Sequence, residues 1–382
     1  MNMQATALDN VQSVQDSKKW ASRPDNETLD QFAQELNDLR ERTMEKVGEA
    51  DAKYIRNVIR VQRLSEFSGR ILIVLGFLHP AYWVLGVLAL ATAKILDNME
   101  IGHNVMHGQY DWMNDPNINS RTFEWDNAGD AGSWKRYHNH DHHTYTNIIG
   151  KDRDFGYGLL RLSDDTRWKP KNLWQFFVYI ALCLNFQWGV AYHELAGERV
   201  FFKKARKASK LPVTREQLKR AFFNKAARQL FKDYIFWPLL CFPVFLQVFL
   251  GNLVANLLRD IWTNTIIFCG HFTDGIHTFK ESQCKNETQG QWFYRQILGS
   301  SNLEGSRLFH ILTGHLSCQV EHHLFPDVPS KHYPEMADEV RGICKKYGIP
   351  YNSAGFWKQY FSVVKRIVKY SFPTKKAKPA AA

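Results

Sequence analysis

The chain has 382 residues, with 49 Lys or Arg against 38 Asp or Glu and a net charge of +11, and its mean hydropathy is −0.38. That hydropathy excludes a bundle that is mostly membrane, whereas a few spans under a large aqueous part fits apolar residues concentrated in short windows. Nucleic acid is excluded as the expected partner because the basic residues cluster beside apolar segments and bring no nucleic-acid motif; six scattered cysteines without a CxxC pair indicate neither a zinc ribbon nor a cysteine-held cluster.

In chain order, residues 1–26 are polar and predict a mobile arm, with no charged-then-apolar leader. Leu29, Phe32, Leu36 and Leu39 recur at helical spacing and predict an amphipathic cytoplasmic helix within 27–66. The apolar stretches Phe67–His79 and Ala81–Leu96 predict two helices joined by a tight turn at His79-Pro80, spans of about 67–80 and 81–101. The second returns His103 and His107 to the cytoplasm. Leu173–Tyr192 is long enough to cross, but crossing there would put the strongly basic Arg199–Lys232 outside and leave His322 on the opposite face from His103. Residues 173–192 are therefore read as an interfacial or re-entrant helix. The region Tyr234–Phe268 supplies spans of about 230–249 and 251–271, with Arg259 and Asp260 as charges at bilayer depth that require pairing or a function. The main domain then runs over 67–353. In 354–382, Phe356–Tyr370 interleaves aromatic and aliphatic residues with Lys358, Lys365, Arg366 and Lys369, a helix for the headgroup region, and the tail from Lys375 is expected to be disordered. The expected fold class is an all-α integral membrane protein: four transmembrane helices in the cytoplasmic membrane and a large helical cap facing the cytosol.

Three histidine clusters lie beside these apolar stretches. His103 and His107 form an HxxxH that aims two imidazoles at one side of a helix; a zinc protease would need Glu after the first His, and Asn104 stands there. His138, His142 and His143 put two ligands a turn apart and a third beside the second. Halfway between, His140 is either a ligand or a surface or outer histidine. Asp141, Asp152 and Asp154 could hold distal ring nitrogens. His322 and His323 follow Gln319 by one turn, and His271 sits just past the last span. A hydrogen-bonded structural role is expected for His310, His315 is left open, and His79, His193, His277 and His332 are read as ordinary. A structural zinc takes four ligands, whereas about eight neutral nitrogens divide between two metals. Iron with O2 is favoured because such a site reaches an unactivated C–H bond, and its place at the membrane surface implies a lipid substrate. No acid or base deprotonates an alkyl chain at neutral pH, so the protein supplies metal geometry and a dry channel.

The runs GHNVMHGQYDWMNDP, WKRYHNHDHHTYTNIIGKDRDFGYG and QVEHHLFPDVPSKHYPEMA resemble the three histidine boxes of the membrane fatty acid desaturases, the bacterial acyl-CoA desaturases above all, over about residues 97–353. The resemblance implies a four-span mushroom-shaped fold, a cytosol-facing non-haem di-iron centre and O2-dependent insertion of a cis double bond into a fatty acyl chain, with acyl-CoA the favoured substrate form. Carried over by position, the ligands are His103, His107, His138, His142, His143, His271, His322 and His323. Relatives often have Asn or Gly at His315, which leaves a ninth, water-mediated contact open there. The chain has no HPGG haem motif of a fused cytochrome b5, so the electrons are expected from a separate protein such as a ferredoxin with its reductase, and a basic face suits both an acidic donor and the phosphates of CoA. The alternative is a membrane di-iron fatty acid or alkane hydroxylase, which shares the first C–H abstraction. A metal transporter would place its ligands at mid-bilayer, not beside the spans.

Overall fold

The computed structural model describes residues 23–202 and 213–374. Most of the expected N-terminal arm, the middle of the basic stretch and the tail from Lys375 lie outside the described residues. The fold is predominantly helical. Helix α1 (Asn26–Met44) begins at Asp25, whose carboxylate accepts Thr28 N–H at 2.8 Å, an N-cap that satisfies a first-turn donor. Its buried stripe is Leu29, Phe32, Leu36 and Leu39, as the periodicity predicts. The segment 27–66 is nonetheless two helices. The chain breaks at residues 45–48, and α2 (Glu49–Leu75) then carries the charged half and the first apolar stretch as one rod of 27 residues that ends at Gly76.

The turn at 76–79 ends at His79, whose Nδ1 accepts Ala81 N–H at 3.2 Å, with Pro80 in the first position of α3 (Pro80–Ile95). Helix α3 continues without interruption as a π-helical turn, Leu96–His103. The α2–α3 hairpin is held close by two glycines. A Cβ on Gly86 would lie 2.5 Å from Ile73 N and 2.8 Å from Gly69 O, and one on Gly69 would lie 2.8 Å from Leu90 N. Backbones meet here because neither side chain stands between them.

Residues 173–192 form α4 (Gln175–Leu184) and α5 (Phe186–Glu194), bent by 95° at a break centred on Asn185. After α6 (Arg215–Phe231) the π-helical turn Lys232–Phe236 and Pro243 interrupt the chain before α7 (Phe245–His271). The interruption falls at 241–244, ahead of the expected boundary near 250, because Pro243 removes a backbone donor whereas Gly251 sits inside α7 against Ile73. Phe242–His271 is the one helix among the described residues that by itself is long and apolar enough to cross a membrane; the α4–α5 pair passes the same test as a bent unit. Helix α2 is charged in its first half, and the 16 residues of α3 extend only about 24 Å. The charges flagged in α7 are paired: Arg259 Nε donates to Asp260 Oδ1 at 2.8 Å and Nη1 to Asn98 Oδ1 at 3.0 Å.

The cap is completed by α8 (Gln289–Leu298), α9 (Gln319–Leu324), α10 (Tyr333–Lys346) and α11 (Phe356–Ser371). A short parallel pair, β1 (Asn302–Glu304) with β2 (Ser353–Gly355), departs from an all-helical expectation. Leu29, Phe32, Phe293, Ile297, Val320, Phe325 and Val340 form one core; Tyr179, Leu182, Phe268, Phe272, Val363 and Ile367 belong to another. Gly86→Leu should overpack the hairpin crossing by about 1–3 kcal/mol, read as a lower thermal unfolding midpoint of the purified protein, whereas Gly48→Ala, with nothing within 4 Å of its added Cβ, should not overpack any contact there.

Candidate metal centre

Four remote segments deliver the imidazoles. The π-helical end of α3 and the turn after it carry His103 and His107; a π-helical segment, Lys135–His142, carries His138 and His142 with His143 next; α7 ends at His271; and α9 carries His322 and His323. One ring nitrogen each from His103, His107, His138 and His322 lies within 4.8 Å of the others, and a second such group is His142, His271 and His323. His143 stands between the groups, stacked on His323 with centroids 4.4 Å apart and 4.8 Å from His107 and from His322. Direct nitrogen contacts are short: His103 Nε2 to His138 Nε2 3.3 Å, His142 Nε2 to His271 Nε2 3.3 Å and His323 Nε2 to His271 Nε2 3.1 Å.

Those nitrogens fit a cation better than one another. His107 Nε2, both nitrogens of His143 and both of His322 are buried without a hydrogen-bond partner, an arrangement that costs free energy unless something takes the lone pairs. Burial, followed by neighbouring imidazoles, holds His107, His143, His322 and His323 well below the ordinary histidine range, and burial brings His103 down to about 3. Neutral rings are the ligand form. His142 differs: burial pushes it down, but the Asp152 carboxylate outweighs this and raises it.

The outer partners fix ring orientation. His142 Nδ1 donates to Asp152 Oδ1 at 3.1 Å, leaving Nε2 inward. Asp154 Oδ2 lies 3.6 Å from His138 Nδ1 and 3.8 Å from His142 Nδ1, and its Oδ1 accepts from His193 Nε2 at 2.8 Å. His323 Nδ1 is 3.1 Å from Gln296 Oε1 and 3.2 Å from Thr146 Oγ1. Gln319 Nε2 lies 2.9 Å from His271 Nε2, with its Oε1 unpartnered. Trp134 stacks on His138 at 4.4 Å.

The two histidines left open in sequence lie apart from both groups. The side chain of His140 is 74% exposed and pairs with Asp141 at 3.0 Å, so Asp141 is likewise directed away from the ligand nitrogens. His315 Nδ1 donates to Glu100 Oε2 at 2.8 Å, and Tyr54 donates to the other carboxylate oxygen at 2.6 Å. His310 bonds Ser317, the structural role expected of it. Residues that spacing missed are His193, Gln296 and Thr146. They come from other elements and carry no local pattern. One cavity is lined by His103, His138, His142 and His271 together with the apolar Met99, Trp134, Val190 and Ile267 and the polar Asn98, Arg259 and Asp260.

The family model "Fatty acid desaturase" matches residues 78–355. The chain is 43% identical over 352 residues, 91% of its length and 81% of the relative's, to the NADPH-dependent stearoyl-CoA 9-desaturase of Mycobacterium tuberculosis. It is 26% identical over 280 residues, 70% of this chain and 74% of the other, to the sn-1 linoleoyl-lipid 6-desaturase of Synechocystis sp., and 27% identical over 255 residues, 61% and 52% respectively, to the acyl-lipid 8-desaturase of Rebecca salina.

Asp152→Asn removes the charge that fixes the His142 ring and should weaken metal retention about 10–100-fold; metal content after graded chelation checks this, with His140→Ala expected to retain metal as the wild type does.

Proposed function

The chain belongs to the fatty acid desaturase family and is an oxidoreductase, and from that premise we propose that it inserts a cis double bond into a CoA-carried fatty acyl chain, with O2 as co-substrate and two iron ions as its resident metals. The convergence of seven imidazoles into two groups of ligand-competent nitrogens carries the reading. The first iron would be held by His103, His107, His138 and His322, the second by His142, His271 and His323, with His143 adding the eighth ligand and Gln319 beside His271. Iron held there supplies O2 activation strong enough to take hydrogen from an unactivated methylene. The mycobacterial relative's name extends the proposal to a stearoyl chain, the 9 position and NADPH as the ultimate reductant, delivered through a separate donor such as a ferredoxin with its reductase.

The protein's own part is positioning. Met99, Trp125, Trp134, Phe186, Val190 and Ile267 offer an alkyl chain an apolar course that passes the ligand groups, which replaces a search for the right methylene pair with one fixed approach. The same walls keep bulk water from the reacting carbon. Asp152 holds His142 with one nitrogen inward, and Asp154 bridges His138, His142 and His193.

We place the chain in the cytoplasmic membrane with the histidines at its inner face, in four spans formed by the apolar half of α2, by α3, by the segment ahead of the interruption at 241–244 and by α7, with 173–192 and α11 lying at the interface. The outward apolar surface supports this. Phe67, Phe77, Leu78, Leu85, Leu239, Leu240, Phe242 and Leu246 are each more than half exposed, a load that water does not favour and lipid does. On α11 the exposed Trp357 and Phe361 alternate with lysines in the manner of a helix lying in headgroups.

Two outcomes are expected. His142→Ala and His323→Ala should abolish alkene formation and lower iron content, judged by gas chromatography with double-bond mapping and by metal analysis; wild-type turnover in either, or an alcohol as the only wild-type product, refutes the assignment. A cysteine placed at Phe77 should react with an impermeant thiol reagent added outside the cell, and one placed at Thr374 should not; the reverse pattern refutes the topology.

A further inference from the structure

Helix α5 turns one face to the cavity, with Gln187, Val190 and Glu194 at spacings of three and four residues. Glu194 is 3% exposed, and its Oε2 has no hydrogen-bond partner among the described residues. The charged groups facing it are Asp154 from the segment after the second histidine cluster, Arg153 beside it, Asp141 from the π-helical segment and Asp130 ahead of Trp134. Three are acidic, and the one cation, Arg153, already donates through Nη2 to Glu198 at 3.0 and 3.2 Å and to His193 O at 3.1 Å. An ionised carboxylate so buried would face more negative than positive charge. Burial first, then Asp154, push this carboxyl well above the ordinary carboxylate range. The group lies in one cavity with His103, His138, His142 and His271, and its burial favours the protonated form.

Resting on the reaction proposed above, we infer that Glu194 is the internal proton donor for O2 reduction. The balance requires such a group. One acyl –CH2–CH2– and O2, with two electrons from the donor protein and two protons, give –CH=CH– and two waters. Two C–H bonds and the O–O bond break and four O–H bonds form, two with acyl hydrogens and two with protons that must cross a buried shell. His140, 74% exposed in its side chain, holds Asp141 at 3.0 Å on the solvent side. The α5 backbone lies under this region, where a Cβ on Gly129 would be 3.2 Å from Ala191 Cα.

The test uses the full-length, iron-loaded enzyme with its reductase. Glu194→Gln preserves shape and neutrality but has no proton to give, so kcat should fall about 100-fold with the acyl KM and iron per chain unchanged. Glu194→Asp should recover part of the loss, and the residual rate of Glu194→Gln should fall further as pH rises. Independently of turnover, the resting holoenzyme should show a protonated carboxyl stretch in the infrared that shifts in D2O, moves in Glu194→Asp and is missing from Glu194→Gln. Wild-type kcat in Glu194→Gln, a raised KM with kcat intact, loss of iron in step with activity, or no such infrared band would each overturn the proposal. If Glu194→Gln does not fold, the band in the wild type and its move in Glu194→Asp decide. Alkene production by the wild type is measured first, so failure of the desaturase reading is recognised separately from failure of the proton donor.

Discussion

Everything in this structure depends on gathering neutral imidazoles from four segments far apart in sequence into one dry volume. Each unsatisfied buried nitrogen costs about 1–3 kcal/mol, and the orphaned atoms of His107, His143 and His322 are tolerable because a cation relieves several of them together. Folding of the cap and metal binding are then coupled, as expected where ligands from separate elements meet only in the native state. The rings are packed against one another and against Trp134, and the carboxylates and amides behind them select the inward nitrogen.

A second polar layer lies beneath the first and keeps the helices in register. Lys94 Nζ meets Asp233 Oδ2 at 2.9 Å and Asp126 Oδ2 at 3.4 Å, Asn256 Nδ2 donates to the same Asp233 oxygen at 3.1 Å, and Arg259 joins Asp260 to Asn98. Buried ion pairs gain little net stability, since desolvation offsets their attraction. Their effect here is positional. α3 and α7 cannot slide past one another without stranding Lys94 or Arg259, and those helices end at His103 and His271. A charge pair that looked like a flaw in an apolar span is thus what aligns two ligand-bearing helix ends.

How much of this was legible in the sequence follows from how local each signal is. The HxxxH spacings identify inward rings because neighbours three or four residues apart share a helix face whatever the rest of the chain does. The stripe of α1 was readable for the same reason. What spacing could not convey was distance in three dimensions: that Asp154 reaches His193, that Gln296 reaches His323 and that Glu100 engages His315 each join elements separated by tens or hundreds of residues. The break inside 27–66 was missed because no proline marks it, only Gly48, and within the interfacial or re-entrant helix expected over 173–192 no proline marked Asn185 as the place of the 95° bend.

The π-helical turns explain why the histidine clusters work as they do. Both Leu96–His103 and Lys135–His142 carry one residue per turn more than an α-helix accommodates, a local cost that persists mostly at functional positions. In the second turn His138 and His142 keep their centroids 5.2 Å apart while His140 swings fully outward. In the first, a Cβ on Gly102 would lie 2.7 Å from Asp97 O, so a glycine is required just before the first ligand for the turn to close. The widened turn moves His103 towards His138 and leaves Asn104 free to donate to Glu100 O at 2.9 Å and Ser330 Oγ at 2.9 Å, which ties the cluster on α3 to the segment following α9. The first of these turns is therefore the joint at which α3 hands its end to the cap.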